Sequence, residues 1–498
     1  MSGRRYRFGP LEQRAVVGPL RAGQVAVIAT AALVALGSLY VLRSVPGLVV
    51  ALAALGAGAT AICVPLEGRT AEEWAPVLWR WARRRRHAEA GYRSSAPSAG
   101  TRIGADGEAV HEASLPPTLA DLELLAASYG SEQVGVIEDR RAGTFTAAMA
   151  VRAGAFALRD SAEQERSLDA WGAVLASCAR DGSPVRRMQW VERTLPGQGD
   201  ELAAHFQAQR DRAVPLDSDL VRSYIELVES AAPQTTEHEV LIALQIDQRR
   251  GARELRRLGG GREAACELLL REAESLAERL AIAEVSVSGL LRPRQYAAAI
   301  RDAFDPFGRQ ARARATLAQE GREGVEPALM GPLADEASWS RYRTNSAFHT
   351  TYWIASWPRS DVGPMFLAPL LMQTAALRTV AVTIEPVPYS LAMRRAEAAQ
   401  TAEVAEEINR NRQGFVSTAR IRRRQQAASR REEELADGHA EMRWAGYVRT
   451  SAPGPEELER AESEVEHAAQ LARLGLQRLY GEQDTAFSFS LPLCRGLR

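Results

Sequence analysis

Two uncharged apolar runs near the start of the chain, Ala22 to Leu42 and Ser44 to Leu66, constrain everything after them. Runs of 21 and 23 residues without a charged side chain need apolar surroundings along their whole length. As helices at about 1.5 Å per residue, each reaches roughly 30 Å, the thickness of a bilayer's hydrocarbon core. A lone Arg43 separates them and Val45-Pro46-Gly47 follows, so the pair reads as a transmembrane helical hairpin over 22–66. The drive to insert is modest. In the first run nine Val, Ile or Leu residues contribute about −0.3 to −0.6 kcal/mol each, against the polar Gln24, Thr30 and Ser38. Ala54-x-x-x-Gly58 has the small-residue spacing that lets helix backbones approach closely in lipid, so the helices are expected to pack on each other and on a partner. A cleaved signal peptide fits poorly, because its apolar region spans about 7–15 residues and leaves the second run unexplained.

The arginines set the orientation. Arg4, Arg5, Arg7, Arg14 and Arg21 precede the first run, and Arg69, Arg80 and Arg83 to Arg86 follow the second, whereas the connecting turn holds only Arg43. Both ends are therefore expected in the cytoplasm, with 1–21 a basic lead-in. The stretch 70–87 reads as a helix headed by a Thr70/Glu73 capping box, with Trp74, Val77, Leu78 and Trp81 along one face. Tryptophan at headgroup level and arginine toward anionic lipid make it an interfacial element. The membrane-facing residues are then Trp74, Trp79, Trp81, Arg83, Arg84, Arg85 and Arg86.

Among 498 residues there is no lysine; all 62 basic residues are arginine, balanced by 62 acidic ones. A Walker A loop needs its lysine on the β- and γ-phosphates, and Schiff-base chemistry needs a lysine amine, so both are excluded. Zero net charge removes a whole-molecule field for nucleic acid. Cys63, Cys178, Cys266 and Cys494 lie far apart without a C-x-x-C pair, which signals neither a disulfide framework nor a zinc site.

Residues 90–117, rich in Gly, Ser, Ala and Pro, read as a flexible tether to two soluble regions, 118–345 and 346–498. In the first, paired strands are expected at Gln133 to Asp139 and Thr144 to Arg152, with a further short one at Gly154 to Leu158. A helix headed by Ser161, a strand at Val185 to Val191, helices at 201–212 and 217–230, and a period-2 strand through Val240, Ile242, Leu244 and Ile246 follow. A helix at 263–283 and a strand at 285–287 complete the unit. The second region repeats the grammar: strands at 350–357 and 378–385, a short helix at 365–373, an Arg/Glu/Ala-rich helical stretch at 390–437, and a closing series of 440–450, 456–475, 476–479 and a strand at 485–491. Such alternation with few long apolar runs argues an α+β class built from split β-α-β, ferredoxin-like modules.

Candidate chemistry is sparse. Consecutive residues on a strand point to opposite faces, so Glu237-His238-Glu239 can converge only its two glutamates, and no metal site is assigned. Asp217-Ser218-Asp219 suits a helix N-cap, His349 and His439 read as structural, and Gly259-Gly260-Gly261 is a loop between helices. No catalytic residue and no cofactor are expected, and the chain reads as no enzyme. The arginines Arg420, Arg422, Arg423, Arg424, Arg430 and Arg431 form the one patch with partner-binding potential; Glu432 to Glu434 beside them offset it, so direct DNA contact is not the leading reading.

The pieces Tyr6-Arg7-Phe8-Gly9-Pro10-Leu11-Glu12, Gly68-Arg69-Thr70 with Glu73-Trp74, Gln189-Trp190, Thr351-Tyr352-Trp353-Ile354 with Trp357-Pro358, and Asp437-Gly438-His439 resemble an actinobacterial family of uncharacterised integral membrane proteins. The hairpin resembles the PrgI-like membrane subunit of Gram-positive conjugation systems. The soluble part is similar to the amino-terminal, non-ATPase domain of CagE/TrbE/VirB-type secretion ATPases, through Gly446-Tyr447-Val448, Pro455-Glu456-Glu457-Leu458 and Phe487-Ser488-Phe489-Ser490-Leu491-Pro492. In those ATPases such a Leu-Pro leads on to a P-loop motor, whereas here the sequence stops six residues after Pro492. The resemblance implies an inner-membrane subunit of a conjugation-like, type IV secretion machine, oligomeric within its complex, that docks a separately encoded P-loop ATPase. A membrane scaffold of a type VII-like secretion system is the second reading.

Overall fold

The computed structural model describes residues 22–42, 44–63, 66–86, 91–94, 101–103, 109–111, 114–154, 156–197, 215, 218–219, 221–223, 236–312, 324–412, 433–436 and 438–497. Its helices are α1 Ala22–Leu42, α2 Val45–Cys63, α3 Ala71–Arg86, α4 Ser161–Cys178, α5 Ala252–Arg257, α6 Gly261–Ile282, α7 Pro293–Phe304, α8 Ala368–Met372, α9 Tyr389–Arg412, α10 Pro455–Leu471 and α11 Gln483–Ser488. Its strands are β1 Gly91–Arg93, β2 Thr101–Ile103, β3 Ala109–His111, β4 Leu122–Tyr129, β5 Glu132–Asp139, β6 Thr144–Ala153, β7 Val185–Pro196, β8 Thr236–Asp247, β9 Val285–Leu290, β10 Ala334–Ala337, β11 Tyr342–Thr344, β12 Phe348–Ser356, β13 Leu377–Pro386, β14 Met442–Ala452 and β15 Gly475–Arg478.

Helices α1 and α2 are long and apolar enough to cross a membrane, and most of their large side chains, Leu33, Leu36 and Val41 among them, are exposed. They pack through small residues: a Cβ on Gly58 would lie 2.8 Å from that of Ala31. Thr30 satisfies its hydroxyl on the Ala26 carbonyl at 2.8 Å, so the polar residue costs little in an apolar setting.

Thirteen strands, all paired antiparallel, form one sheet in the order β1-β10-β11-β12-β14-β13-β7-β8-β6-β5-β4, with β15 beside β12 and β9 beside β6. The order resolves into two copies of one unit. In the first, β6 and β7 flank β8 while β8 and β9 flank β6, with α4 and α6 as crossovers. In the second, β12 and β13 flank β14 while β14 and β15 flank β12, with α8 and α10 as crossovers. Each is an interleaved pair of split β-α-β units, the ferredoxin-like arrangement expected from the alternation. The copies meet edge to edge through β7 and β13, in register from Thr379↔Arg193 to Ile384↔Met188.

Side-chain alternation separates the cores. One face carries Met188, Ile242, Val380 and Val448, under α4 and α6 on one copy and under α8 and α10 on the other. The opposite face carries Val191, Ala243 and Ala381, under α7 and the C-terminal segment. That segment is core: Phe487, Leu491 and Cys494 are essentially inaccessible, and Gln189 accepts from the Leu493 and Cys494 amides at 3.0 and 2.7 Å.

Several local expectations are corrected. The alternating Phe487, Phe489 and Leu491 suggested a strand, yet 483–488 is helical, because this segment lies across the sheet face and the tilted pair Phe304/Phe487 fills the gap beneath α7. Phe156–Leu158 is a 3-10 turn, not a strand. The cap of α4 is Asp160, whose carboxylate accepts from the Glu163 amide at 2.8 Å, one residue before the expected Ser161. Within the tether region Gly91–Arg93 pairs with β10 and Thr101–Ile103 pairs with Ala109–His111. Such three-residue ladders are held by backbone hydrogen bonds and leave no apolar period to read. The helices expected over 201–212 and most of 217–230, and the arginines Arg420, Arg422, Arg423, Arg424, Arg430 and Arg431, lie outside the described residues.

Candidate functional site: the joint between hairpin and sheet

Where α2 ends, the chain turns sharply. Leu66 and Arg69 exchange both backbone hydrogen bonds at 2.8 and 2.9 Å around Glu67 and Gly68, whose φ values are 48° and 75°. Two successive left-handed residues make the two-residue turn of a tight hairpin, and glycine takes the second without strain. The turn is bound to the sheet domain, since the Gln477 side-chain amide on β15 donates to the Glu67 carbonyl at 3.0 Å. Next, Glu73 accepts from the Thr70 amide at 3.0 Å, one half of the expected capping box, while the Thr70 hydroxyl turns to Glu72.

Helix α3 then lies against the sheet domain along the face that the sequence assigned to the membrane. Trp74 stacks on Trp339 at 5.7 Å and 21°, Trp81 meets Trp339 edge-on at 5.5 Å, and Tyr480 completes the group at 6.3 Å from Trp74 and Trp339. Val77, 2% exposed, fills the space between them. Gly481 is required at φ 71°: a Cβ there would sit 2.7 Å from the Trp339 ring and 3.0 Å from Val77. Its amide donates to the Trp339 carbonyl at 2.7 Å, which ties the β10–β11 turn to the segment after β15.

Charge encloses this aromatic group. Glu482, 5% exposed, meets Arg69 at 3.3 Å and Arg80 at 2.7 Å; Arg84 holds both oxygens of Asp484, at 2.7 and 2.6 Å, and reaches Thr485. One guanidinium nitrogen spans both carboxylate oxygens while the other reaches the Thr485 hydroxyl, so all three bonds are charge-assisted. The seven residues read as membrane-facing therefore separate. Trp74, Trp81 and Arg84 contact the sheet domain, whereas Trp79, Arg83, Arg85 and Arg86 are exposed, Arg83 lying over the Trp79 ring at 5.8 Å. Of the i, i+3, i+4, i+7 stripe, Trp74, Val77 and Trp81 are covered by protein, and Leu78 stays exposed.

Beside α3 lies a cavity of about 920 Å3 lined by Arg83, Arg141, Asp335, Tyr342, Asp484 and Arg495, among others. Burial and the nearby Asp484 charge push the Asp335 carboxyl up to about 6, although it accepts from the Tyr342 hydroxyl at 2.7 Å.

On the opposite part of the molecule an apolar groove of about 420 Å3 runs along the seam between the two units, lined by Trp171, Trp190, Trp357, Trp444, Val382 and Ile384. Its origin is the length of α8. With five residues where α4 has eighteen, α8 cannot cover β13, and Val382 and Ile384 stay half-buried in mid-sheet.

The other candidates resolve as structure. Glu237 pairs with Arg309 at 2.7 Å, Glu239 with Arg193, and His238 with Glu192 at 2.9 Å, so the Glu-His-Glu run is spread over three partners. His349, inaccessible, bonds Thr344 and Ser451 at 2.8 Å, and burial holds its imidazole well below the usual range. Among the described residues no group of three metal-ligating side chains converges. The residues missed by sequence reasoning are Trp339, Tyr480, Gly481, Glu482 and Asp484; Trp339 lies in the turn between β10 and β11 and the others in the short connection from β15 into α11, with no periodic apolar neighbours to mark them.

Residues 234–354 match a protein-family model described as "Putative type VII ESX secretion system translocon, EccE". The matched segment runs from the start of β8 nearly to the end of β12 and holds Trp339, the centre of the aromatic group. No curated protein matches the chain. The likeness is to a secretion-system membrane component, and of the two machines weighed above it agrees with the type VII scaffold; the resemblance to PrgI-like and CagE/TrbE/VirB-type proteins is not shown.

Proposed function

We propose that this protein is a non-enzymatic membrane subunit of a type VII-like secretion translocon. In this reading α1 and α2 span the bilayer with both chain ends in the cytoplasm. The double ferredoxin-like body sits beneath the membrane, and α3 fixes its position. The match of residues 234–354 to the type VII translocon family carries the reading, supported by two candidate spans joined directly to the same sheet. Leu78, Trp79, Arg83, Arg85 and Arg86, exposed on α3, are the residues for lipid headgroups, while Trp74 and Trp81 hold the body. Because Glu482 and Asp484 bind α3 where α11 begins, a movement of the body would pull on the hairpin through short, charge-paired contacts rather than through a slack tether.

Affinity purification of the tagged full chain from detergent-solubilised membranes tests this. Type VII membrane subunits are expected among the co-purifying proteins. Recovery of conjugation-type subunits instead would replace this function with the type IV one.

A further inference from the structure

The two ends of the sheet are protected differently. At one end β1, β10 and β11 have three, four and three residues. Short strands of that kind blunt an edge. The other end is β4, eight residues paired to β5 without a bulge from Leu122↔Asp139 to Tyr129↔Glu132, and with no further strand beside it among the described residues. Its sequence, Leu-Glu-Leu-Leu-Ala-Ala-Ser-Tyr, has no proline and one charge, Glu123, already held by Arg140 at 3.1 Å and Arg262 at 2.8 Å. An edge this long, free of the usual obstacles, is a template for another strand.

The charges beside β4 say which strand. Helix α6 lies along it, with Arg262 at the Glu123 end and Glu274 and Glu278 beside Tyr129, whose hydroxyl bonds Glu274. The more exposed members of the ion pairs at the first end are the guanidiniums of Arg140 and Arg262, over the better covered Glu123 and Glu138, while at the second the carboxylates of Glu274, Glu278 and Glu132 outnumber the one guanidinium of Arg292. A second copy meeting this edge antiparallel brings each end against its opposite, whereas a parallel approach sets Glu123 against Glu123. The chain already makes one antiparallel junction of the same kind within itself, between β7 and β13.

We propose that two copies of this chain pair through β4, antiparallel about a two-fold axis at Ala126, so that one sheet continues from copy to copy. An axis normal to the sheet keeps each face on its own side, so opposed residues share parity: Ala126 faces Ala126, Leu124 faces Ser128 and Glu123 faces Tyr129. The inference is independent of the secretion reading, since it rests on the edge alone.

Cysteine cross-linking of the full chain in detergent or nanodiscs tests it. Directly opposed Cα atoms sit about 4.5–5.5 Å apart, within disulfide range. Ala126 is exposed, and A126C is expected to give a disulfide dimer on mild oxidation, above the background of the unchanged chain. S128C alone is expected to give none, and a mixture of S128C and L124C chains to give one. Absence of the A126C dimer, or equal dimer from S128C alone, overturns the pairing. As a second arm, A126K opposes two like charges and is expected to weaken dimerisation by up to about fivefold, while mixing A126K with A126E chains restores a heterodimer. Dimerisation untouched by A126K, or a mixture that fails to pair, also overturns it.

Discussion

Replacing Trp339 by alanine is expected to release α3 from the sheet. Three aromatic contacts end on this one ring, from Trp74, Trp81 and Tyr480. The half-buried side chain also closes the space over Val77 and Gly481. Loss of the ring leaves a void that Gly481 cannot fill, for an expected cost of about 2–3 kcal/mol in local opening free energy. The Arg69, Arg80 and Arg84 ion pairs remain, but Arg69 precedes α3, and the partly exposed pairs of Arg80 and Arg84 contribute little without the packing that aligns them. Trypsin reports the outcome: cleavage at Arg83, Arg85 and Arg86 should accelerate at least about tenfold while the sheet core stays resistant. Trp339→Phe should fall between the two. An unchanged digestion rate would mean that α3 is held by something other than this ring.

Arg378→Ala is expected to be the most destabilising substitution, at about 3–5 kcal/mol. Arg378 is 1% exposed at the start of β13, and its guanidinium donates to the carbonyls of Leu370 and Leu371, to Thr194 and, at 3.4 Å, to Glu192. It thus links α8 to the seam between the two units. Removing it takes a donor from the Leu371 carbonyl, leaves Leu370 with the Thr374 hydroxyl at 3.3 Å, and leaves the 5% exposed Glu192 with His238 as its ion-pair partner among the described residues. The double variant Arg378→Met with Glu192→Gln removes both charges and should recover much of the loss, because an uncompensated buried charge costs more than the pair contributes. Thermal unfolding of the two variants beside the parent checks this; equal loss in both would locate the cost in the carbonyls instead.

What the sequence made legible follows from periodicity. The strand at 240–246 alternates with period 2, and it, the strands at 133–139 and 144–152 paired around their turn, and the helix at 263–283 all form nearly as read. Their order was enough for split β-α-β units, because a crossover helix between two strands leaves few arrangements. The edge-to-edge union of the units was not legible, since β7 and β13 carry the same alternation whether their free edges meet solvent or each other. The joint was half legible. The stripe Trp74, Val77, Trp81 announced a covered face, and an apolar stripe next to a membrane span looks the same over lipid as over Trp339. The buried arginines Arg378 and Arg449 were invisible, because pattern reading places arginine outside; Arg449 sits over Phe487 at 4.5 Å, with burial pushing its guanidinium down to about 9.

The central claim is that α3 is part of the sheet domain, and a photo-reactive benzoyl-phenylalanine in place of Trp74 tests it most directly in intact membranes. The account predicts adducts to the peptides holding Trp339 or Tyr480, the two rings within 5.7 and 6.3 Å of Trp74. Adducts to lipid alone would contradict it and return α3 to the membrane surface.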